Sequence, residues 1–508
     1  MTMPITIQYD TIIRHGDLID GTGAPRRAAD IAIQDGAIAA IGDLRDARAA
    51  TEIDATGLAV TPGFIDTHTH DDWLVFQSPE MLPKVTQGVT TIIAGNCGIS
   101  LFPLVTRTIP PAPLDILRGG YQFPSVQAYR DAFAAAPAAV NVAVLVGQST
   151  LRARHVGQLG AAASDAEIER MREDVETALR QGAIGVSTGT FYPPSAAAPE
   201  DEIVRMCEPM RRLGGVLVSH MRDESDRVRE AIDETARIGK ALGVSTVISH
   251  HKLVGKQNHG RSRETLAQVS ELARTMPLCM DCYPYAASST MLRPERVDQC
   301  DRILITWSST HPDVAGRYLE EIAEAWGRSR REVAEALVPG GAVYFIMDEG
   351  DVRDILAYPD TMVGSDGIPS DETPHPRLWG TFPRVLGLYS RDLGLFPLER
   401  AVHKMTGLAA RRFGLERRGE LRVGHVADIT VFDPATIQDR ATFDDPVQPS
   451  IGVVHVLVAG EATLRDGMPT GNRPGRFVGS TLVKGDAVEV DAIKAQAAPP
   501  NAARAATQ

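Results

Sequence analysis

Between residues 59 and 366 one pattern recurs eight times: a short apolar run, then a longer stretch with helical periodicity. The runs are "AVTPGFIDTHTH" (59–70), "VTTIIAGN" (89–96), "NVAVLVG" (141–147), "AIGVST" (183–188), "GVLVSH" (215–220), "STVISH" (245–250), "LCMDCYPY" (278–285) and "TMVGSD" (361–366). Runs this apolar, without alternation, read as parallel strands buried on both faces. The stretches between them carry helix signals. Ser164 stands as an N-cap with Glu167 three residues on, and Ile168, Met171, Val175, Ala178 and Leu179 share one face. Eight strands alternating with helices predict a (β/α)₈ barrel, with a doubly wound sheet as the alternative.

The flanks have another texture. "TIIRHGDLIDGTG" and "ADIAIQDGAIAAIG" are β-branched runs broken by glycine turns, and the same texture returns over residues 419–467. The two ends of the chain, 1–62 and 415–480, are expected to form one small sheet domain beside a barrel spanning 63–414. Residues ~286–350 interrupt the rhythm between strands seven and eight and read as a helical subdomain or lid. The segment 485–508 is Ala/Pro-rich and polar, and is expected to be a flexible tail.

The bulk numbers remove several function classes. A net charge of −13 argues against a nucleic-acid partner and means that an anionic ligand needs a local basic pocket. No apolar run reaches the ~18 residues of a membrane span. "MTMPITIQYD" has neither a basic nor an apolar leader region, so no signal peptide is expected. Five scattered cysteines, Cys97, Cys207, Cys279, Cys282 and Cys300, do not make a disulfide framework and suit a reducing cytoplasm.

Barrel chemistry sits at the C-terminal ends of the strands. Strand one ends in His68 and His70, two apart and so able to face the same way. Cys97 follows strand two, and strands five, six and eight end in His220, His250 and Asp366. A single strand-end histidine is more often structural. Six ligand-type side chains at five strand ends point to a metal site, and imidazole with thiolate suits Zn²⁺. The remaining candidates read as structural: Cys279-x-x-Cys282 as core, Cys207 and Cys300 as ordinary packing, His251 as packing on the opposite face, and His259 and His375 as loop residues.

"PGFIDTHTHDD", "GVTTIIAGNCGIS", "SHMRDE", "ISHHK" and "GSDG" together resemble the amidohydrolase superfamily, and more closely its N-acyl-D-amino-acid deacylases, over residues ~10–480. The resemblance implies a metal-dependent barrel with a small β-sandwich built from both chain ends. Hydantoinases and dihydroorotases of this superfamily use a carboxylated lysine on strand four; "GAIGVSTGTFYPPS" has none, and Cys97 matches the acylase-like group instead. It further implies one tight zinc on Cys97, His220 and His250, and a weaker second metal on His68, His70 and Asp366 sharing Cys97. The implied reaction is hydrolysis of the linear amide of an N-acyl-D-amino acid to a carboxylate and a free D-amino acid. Asp366 would move the proton from water to the leaving amine, and Tyr192 would donate to the oxyanion. Lys252, Tyr283 and Arg377 would clamp the α-carboxylate, with Ser289 adding a hydrogen bond.

Side-chain preference turns on "TMLRPERVDQ". Met291, Leu292 and Met347 favour apolar substrates, which is the preferred reading; Arg293 or Arg296 would instead bind D-glutamate or D-aspartate. A hydantoinase-like cyclic amide hydrolase, a deaminase and a non-catalytic barrel are the rivals. The missing strand-four lysine, the presence of Cys97 and the complete ligand set oppose them. Gln148 departs from the histidine that relatives often carry after strand three. The expected partner is a small-molecule substrate, with no membrane or nucleic acid, and the chain is expected to act as a monomer or small homo-oligomer.

Overall fold

The structure is a computed structural model and describes residues 8–484. The expected tail at 485–508 lies outside the described residues. Eight strands pair in parallel in chain order: β1 (Phe64–Asp66), β2 (Val89–Ala94), β3 (Asn141–Gly147), β4 (Gly185–Gly189), β5 (Val216–His220), β6 (Ser245–Ile248), β7 (Leu278–Cys282) and β8 (Thr361–Val363). The sheet closes beyond the ends of β1 and β8. There Thr69 bridges Gly367, and the Asp366 N–H donates to the His68 carbonyl at 2.7 Å. This is the (β/α)₈ barrel that the alternation predicts.

The barrel is filled by residues from around the ring. Ile65, Ile93, Leu145, Val218, Val247, Cys279 and Met362 pack together with Leu408 and Phe413, which sit on the helix Gly407–Phe413 and plug the end away from the histidines. The helix Asp165–Arg180 starts as expected, with the Ser164 N–H donating to the Glu167 carboxylate at 2.7 Å, and buries Ile168, Met171, Val175, Ala178 and Leu179. All five cysteines are free and buried. Burial pushes the Cys207 and Cys279 thiols up to about 12, so both are inert packing groups.

The run 59–70 is not one strand. It divides at Gly63, where a Cβ would lie 2.1 Å from Thr90 Oγ1. Ala59–Pro62 belongs to a second sheet of nine strands, paired with Gln8–Leu18 on one side and Ile429–Phe432 on the other. That sheet turns back on itself where Ala37 bridges Val426, enclosing Ile13, Ile31, Ile33, Ile53, Val60, Ile429 and Leu457. Both chain ends thus build the small β-sandwich. Further along the chain, the Val142 N–H donates to Arg476 O and the Val478 N–H to Val142 O, tying residues 476–478 to the start of β3.

The insertion between β7 and β8 is not purely helical. Ser288–Met291, Gly340–Tyr344 and Ile303–Ser308 form a three-stranded antiparallel sheet, backed by the helices Leu319–Trp326 and Arg330–Leu337. It has its own core of Val297, Ile303, Ile305, Leu319, Val333 and Leu337. No helix among the described residues is long and apolar enough to cross a membrane.

Candidate metal centre

The six side chains singled out at the strand ends converge at one mouth of the barrel. His68, Cys97, His250 and Asp366 each present a ligand atom within 4.8 Å of the others; His220, Glu224 and His250 form an adjoining group. Cys97 Sγ lies 3.2 Å from His68 Nε2 and 3.4 Å from His250 Nε2. Asp366 Oδ1 lies 3.5 Å from His68 Nε2 and 3.4 Å from His70 Nε2. The His220 ring stands 4.4 Å from that of His250, and neither of its buried nitrogens has a hydrogen-bond partner among the described residues.

Three of these residues hold backbone conformations that side chains rarely adopt: φ is +56° at Cys97, +34° at His250 and +50° at Asp366. Such angles persist where the surroundings enforce them. The His250 N–H donates to Asp281 Oδ1 at 2.7 Å. Asp281 Oδ1 also lies 3.5 Å from His68 Nδ1, so one buried carboxylate on β7 touches the His68 imidazole and anchors the backbone that carries His250. Behind the β1 and β8 tips, Lys84 Nζ reaches Asp66 at 2.7 Å, Asp71 at 3.1 Å, Thr69 at 3.1 Å and Ser365 at 2.9 Å. This fully buried ammonium braces the segments that carry His68, His70 and Asp366.

The electrostatics suit a cation. Burial alone would raise the Cys97 thiol, yet the His68 and His250 imidazoles hold it well below the ordinary thiol range. Burial would also raise Asp366, and Arg377 with His250 overrides it and holds the carboxyl well down. Burial would lower His70, but its bond to Asp366 and the nearby Cys97 raise it to about 9. The thiolate and carboxylate therefore draw positive charge to the space between them. Imidazole nitrogens, a thiolate and a carboxylate, held at these spacings, are a donor set for zinc.

Beside the ligands opens a pocket lined by Phe191, Tyr192, His220, His250, Lys252, Tyr283, Ser289 and Arg296. Tyr192 hydroxyl meets Thr290 Oγ1 at 3.2 Å, and burial with the nearby Cys97 keeps the phenol protonated. Arg377 Nη1 lies 2.9 Å from Asp366 Oδ2, Nη2 donates to Ser289 O at 3.1 Å, and the guanidinium sits 4.6 Å over the Tyr283 ring. Ser289 contributes its carbonyl here, while its buried hydroxyl has no hydrogen-bond partner among the described residues. Lys252 Nζ lies 2.6 Å from Glu224 and 2.7 Å from His250 Nδ1.

Glu224 is the residue that sequence reading missed. It contacts His250 Nδ1 at 3.0 Å as well as Lys252, and lies 3.8 Å from His220. Its only signal is the position four after His220 in "HMRDE", which sits in a loop and so has no helical meaning. Arg296 lines the pocket, with its guanidinium 5.1 Å from the Phe191 ring, while Arg293 pairs with Glu295 at 2.7 Å. Leu292 turns into the core of the insertion rather than the pocket. Met347 meets the Tyr283 hydroxyl at 3.8 Å. His251 faces away, bonded to Thr265 at 2.9 Å, and burial lowers it to about 4. His259 meets Ile346 O, and His375 accepts the Arg377 N–H at 3.0 Å. Gln148 is buried with both amide atoms unpartnered.

A model of the amidohydrolase family matches residues 51–273 and 333–463. A D-aminoacylase of Alcaligenes xylosoxydans xylosoxydans is 52% identical over 93% of this chain and 98% of its own. A solved D-aminoacylase described by its binuclear metal centre, with one-metal activation and second-metal attenuation, superposes with a TM-score of 0.91 at 51% identity, covering 93% of this chain and all of its own (100%). The N-acyl-D-glutamate deacylase of Bordetella bronchiseptica, solved with zinc and a phosphonate mimic of the tetrahedral intermediate, superposes with a TM-score of 0.90 at 44% identity, covering 93% of this chain and 99% of its own. With its barrel, its ligand cluster and these likenesses over almost its whole length, the chain belongs to the amidohydrolase family, among the D-aminoacylases and N-acyl-D-amino-acid deacylases.

Proposed function

We propose that the protein is a zinc-dependent hydrolase that cleaves the amide of N-acyl-D-amino acids, releasing a carboxylate and a D-amino acid. The observation that carries this is the junction of a ligand cluster with a cationic pocket: His220, His250 and Asp366 share one cavity with Lys252, Tyr283 and Arg296. Cys97, His220 and His250 would hold the tight zinc, and His68, His70 and Asp366 would hold a second, weaker metal with Cys97. When bound, zinc acidifies water to a pKa of about 7 and polarises the acyl carbonyl.

The chain's own groups do the rest. Asp366 accepts the proton of the attacking water at a carboxylate oxygen and returns it to the amine nitrogen as the C–N bond breaks. Tyr192, kept protonated, donates its hydroxyl hydrogen to the oxygen on which charge develops. Arg377, Lys252 and Tyr283 surround the position for the α-carboxylate. With that carboxylate and the acyl carbonyl both fixed, only one configuration at Cα sends the side chain toward Phe191 and Tyr344.

Arg296 on the pocket wall favours a second reading of the side chain, in which a D-glutamate or D-aspartate carboxylate meets its guanidinium. Hydrolysis of N-acetyl-D-methionine, N-acetyl-L-methionine and N-acetyl-D-glutamate by the zinc-loaded protein tests both. Turnover of the D-methionine derivative alone supports the apolar reading, and turnover of the D-glutamate derivative alone moves the assignment to Arg296. Equal rates on both hands of methionine would refute the clamp, and no release from any of the three would refute the proposed activity.

A further inference from the structure

We propose that Ser187, on β4, is a positioning residue that fixes Cys97 as a metal ligand; this rests on the reading of Cys97 as a zinc ligand given above. Cys97 stands in a tight turn closed by the Ile99 N–H to Asn96 O at 2.8 Å, with positive φ at both central residues, +56° at Cys97 and +75° at Gly98. A cysteine gains nothing intrinsically from that conformation. Ser187 brackets the turn from outside. Its fully buried hydroxyl donates to Gly95 O at 2.5 Å and accepts the Gly98 N–H at 3.0 Å. One side chain thus satisfies the backbone on both sides of Cys97.

The ends of β3 and β4 complete the cradle. A Cβ at Gly189 would lie 2.1 Å from Cys97 O, and one at Gly147 would lie 2.4 Å from the Gly98 carbonyl. The turn is therefore sunk between two strands whose glycines make room and whose serine holds it. Seated this way, Sγ faces the Nε2 atoms of His68 and His250. Without the hydroxyl, Gly95 O and the Gly98 N–H lose their buried partner. Cys97 is then free to relax to negative φ, which swings Sγ off the imidazoles. Strand four has no lysine to offer a metal; it contributes instead the group that holds the thiolate arriving from β2.

The test uses the full-length protein, zinc titrated against a chromophoric chelator, and Co²⁺ substitution read by its thiolate charge-transfer band. Ser187→Ala is expected to weaken tight zinc binding by roughly 10- to 100-fold, the usual effect of losing a group that orients a ligand. It should diminish the charge-transfer band, and activity should return when zinc is raised to saturation, which a folding defect would not allow. Ser187→Thr, which keeps the hydroxyl, should restore the affinity. Gly189→Ala, which presses on Cys97 O from the other side, is expected to weaken zinc binding likewise and serves if Ser187→Ala does not fold. Wild-type affinity and an unchanged band in either variant would overturn the inference. A Cys97→Ala protein that keeps tight zinc would instead overturn the ligand assignment on which it rests.

Discussion

Arg377 touches both halves of the proposed machinery, so its removal can separate them. The side chain is fully buried. It lies 2.9 Å from Asp366, bonds Ser289 O and stacks on Tyr283. Two roles fit that geometry: holding the substrate α-carboxylate, or holding Asp366. Truncating one partner of a buried charge pair costs roughly 2–5 kcal/mol. Lys252 remains to share the substrate carboxylate, which places the expected loss for Arg377→Met toward the lower end. At about 1.4 kcal/mol per factor of ten, that is roughly a 30- to 300-fold fall in kcat/KM on N-acetyl-D-methionine. The informative comparison is with N-acetyl-D-methionine amide, which has no carboxylate to clamp. If Arg377 binds the carboxylate, the variant loses much of its preference for the acid over the amide, and its activity on the amide falls by far less than its activity on the acid. Zinc stoichiometry should stay at the wild-type value, because Arg377 is no ligand. An equal loss on both compounds would refute the clamp and leave Arg377 as a support for Asp366.

Cys97→Ala and His220→Ala should each abolish tight zinc binding, measured as metal content after dialysis, and stoichiometric zinc in either would remove that residue from the ligand set. Asp366→Ala should fold and keep one tight zinc but lose turnover by at least ~100-fold, the low end of what a positioned acid–base contributes; near-normal kcat would end its role as proton carrier. Arg296→Met should lower kcat/KM for N-acetyl-D-glutamate relative to N-acetyl-D-methionine by tenfold or more, and an unchanged ratio would mean that Arg296 does not read the side chain. Lys404 is buried, bonded to the carbonyls of Tyr358 and Thr361, and burial lowers it to about 7. The unfolded side chain keeps its proton to about pH 10.4. Between these values the unfolded state holds more protons, so stability rises with pH by up to about 1.4 kcal/mol per unit. Urea midpoints across pH 7–10 should lose that slope in Lys404→Met, and parallel profiles would contradict it.

The barrel was legible because its strands are buried on both faces, which leaves continuous apolar runs such as Asn141–Gly147 with sharp edges. Where two elements abut without a polar break, the signal failed. Ala59–Pro62 and Phe64–Asp66 read as one strand because each is buried throughout and only Gly63 separates them. The insertion read as helical because Leu319–Trp326 and Arg330–Leu337 dominate its periodicity, while the strand Ser288–Met291 is short and polar. The ligand-type residues stood out because histidine, cysteine and aspartate at strand ends have few structural reasons to recur. Their supports did not stand out. Asp66, Ser187 and Asp281 each sit, fully buried, in a strand that is buried on both faces, and each binds a segment that carries a ligand-type residue. A polar residue within an otherwise apolar strand is the sequence signal that would have found them.

The charge pattern around the pocket also explains how an acidic chain accepts an anion. Both cations of the proposed clamp are already neutralised in the free protein, Lys252 by Glu224 and Arg377 by Asp366. Buried cations without partners would be costly, so the pairing is what allows them to sit so deep. In the proposed complex a substrate carboxylate would compete with Glu224 and Asp366 for these two cations, adding one negative charge beside the ligand cluster. Both displaced partners touch the ligand cluster: Glu224 meets His250 Nδ1 at 3.0 Å, and Asp366 meets His68 and His70. In the proposed clamp, seating the carboxylate would loosen the hold of Lys252 on Glu224 and of Arg377 on Asp366 together. Glu224 would then be left to accept a hydrogen bond from the His250 Nδ1–H, which keeps Nε2 free as a ligand. Asp366 would be left facing the imidazoles of His68 and His70, where the proposed reaction needs it.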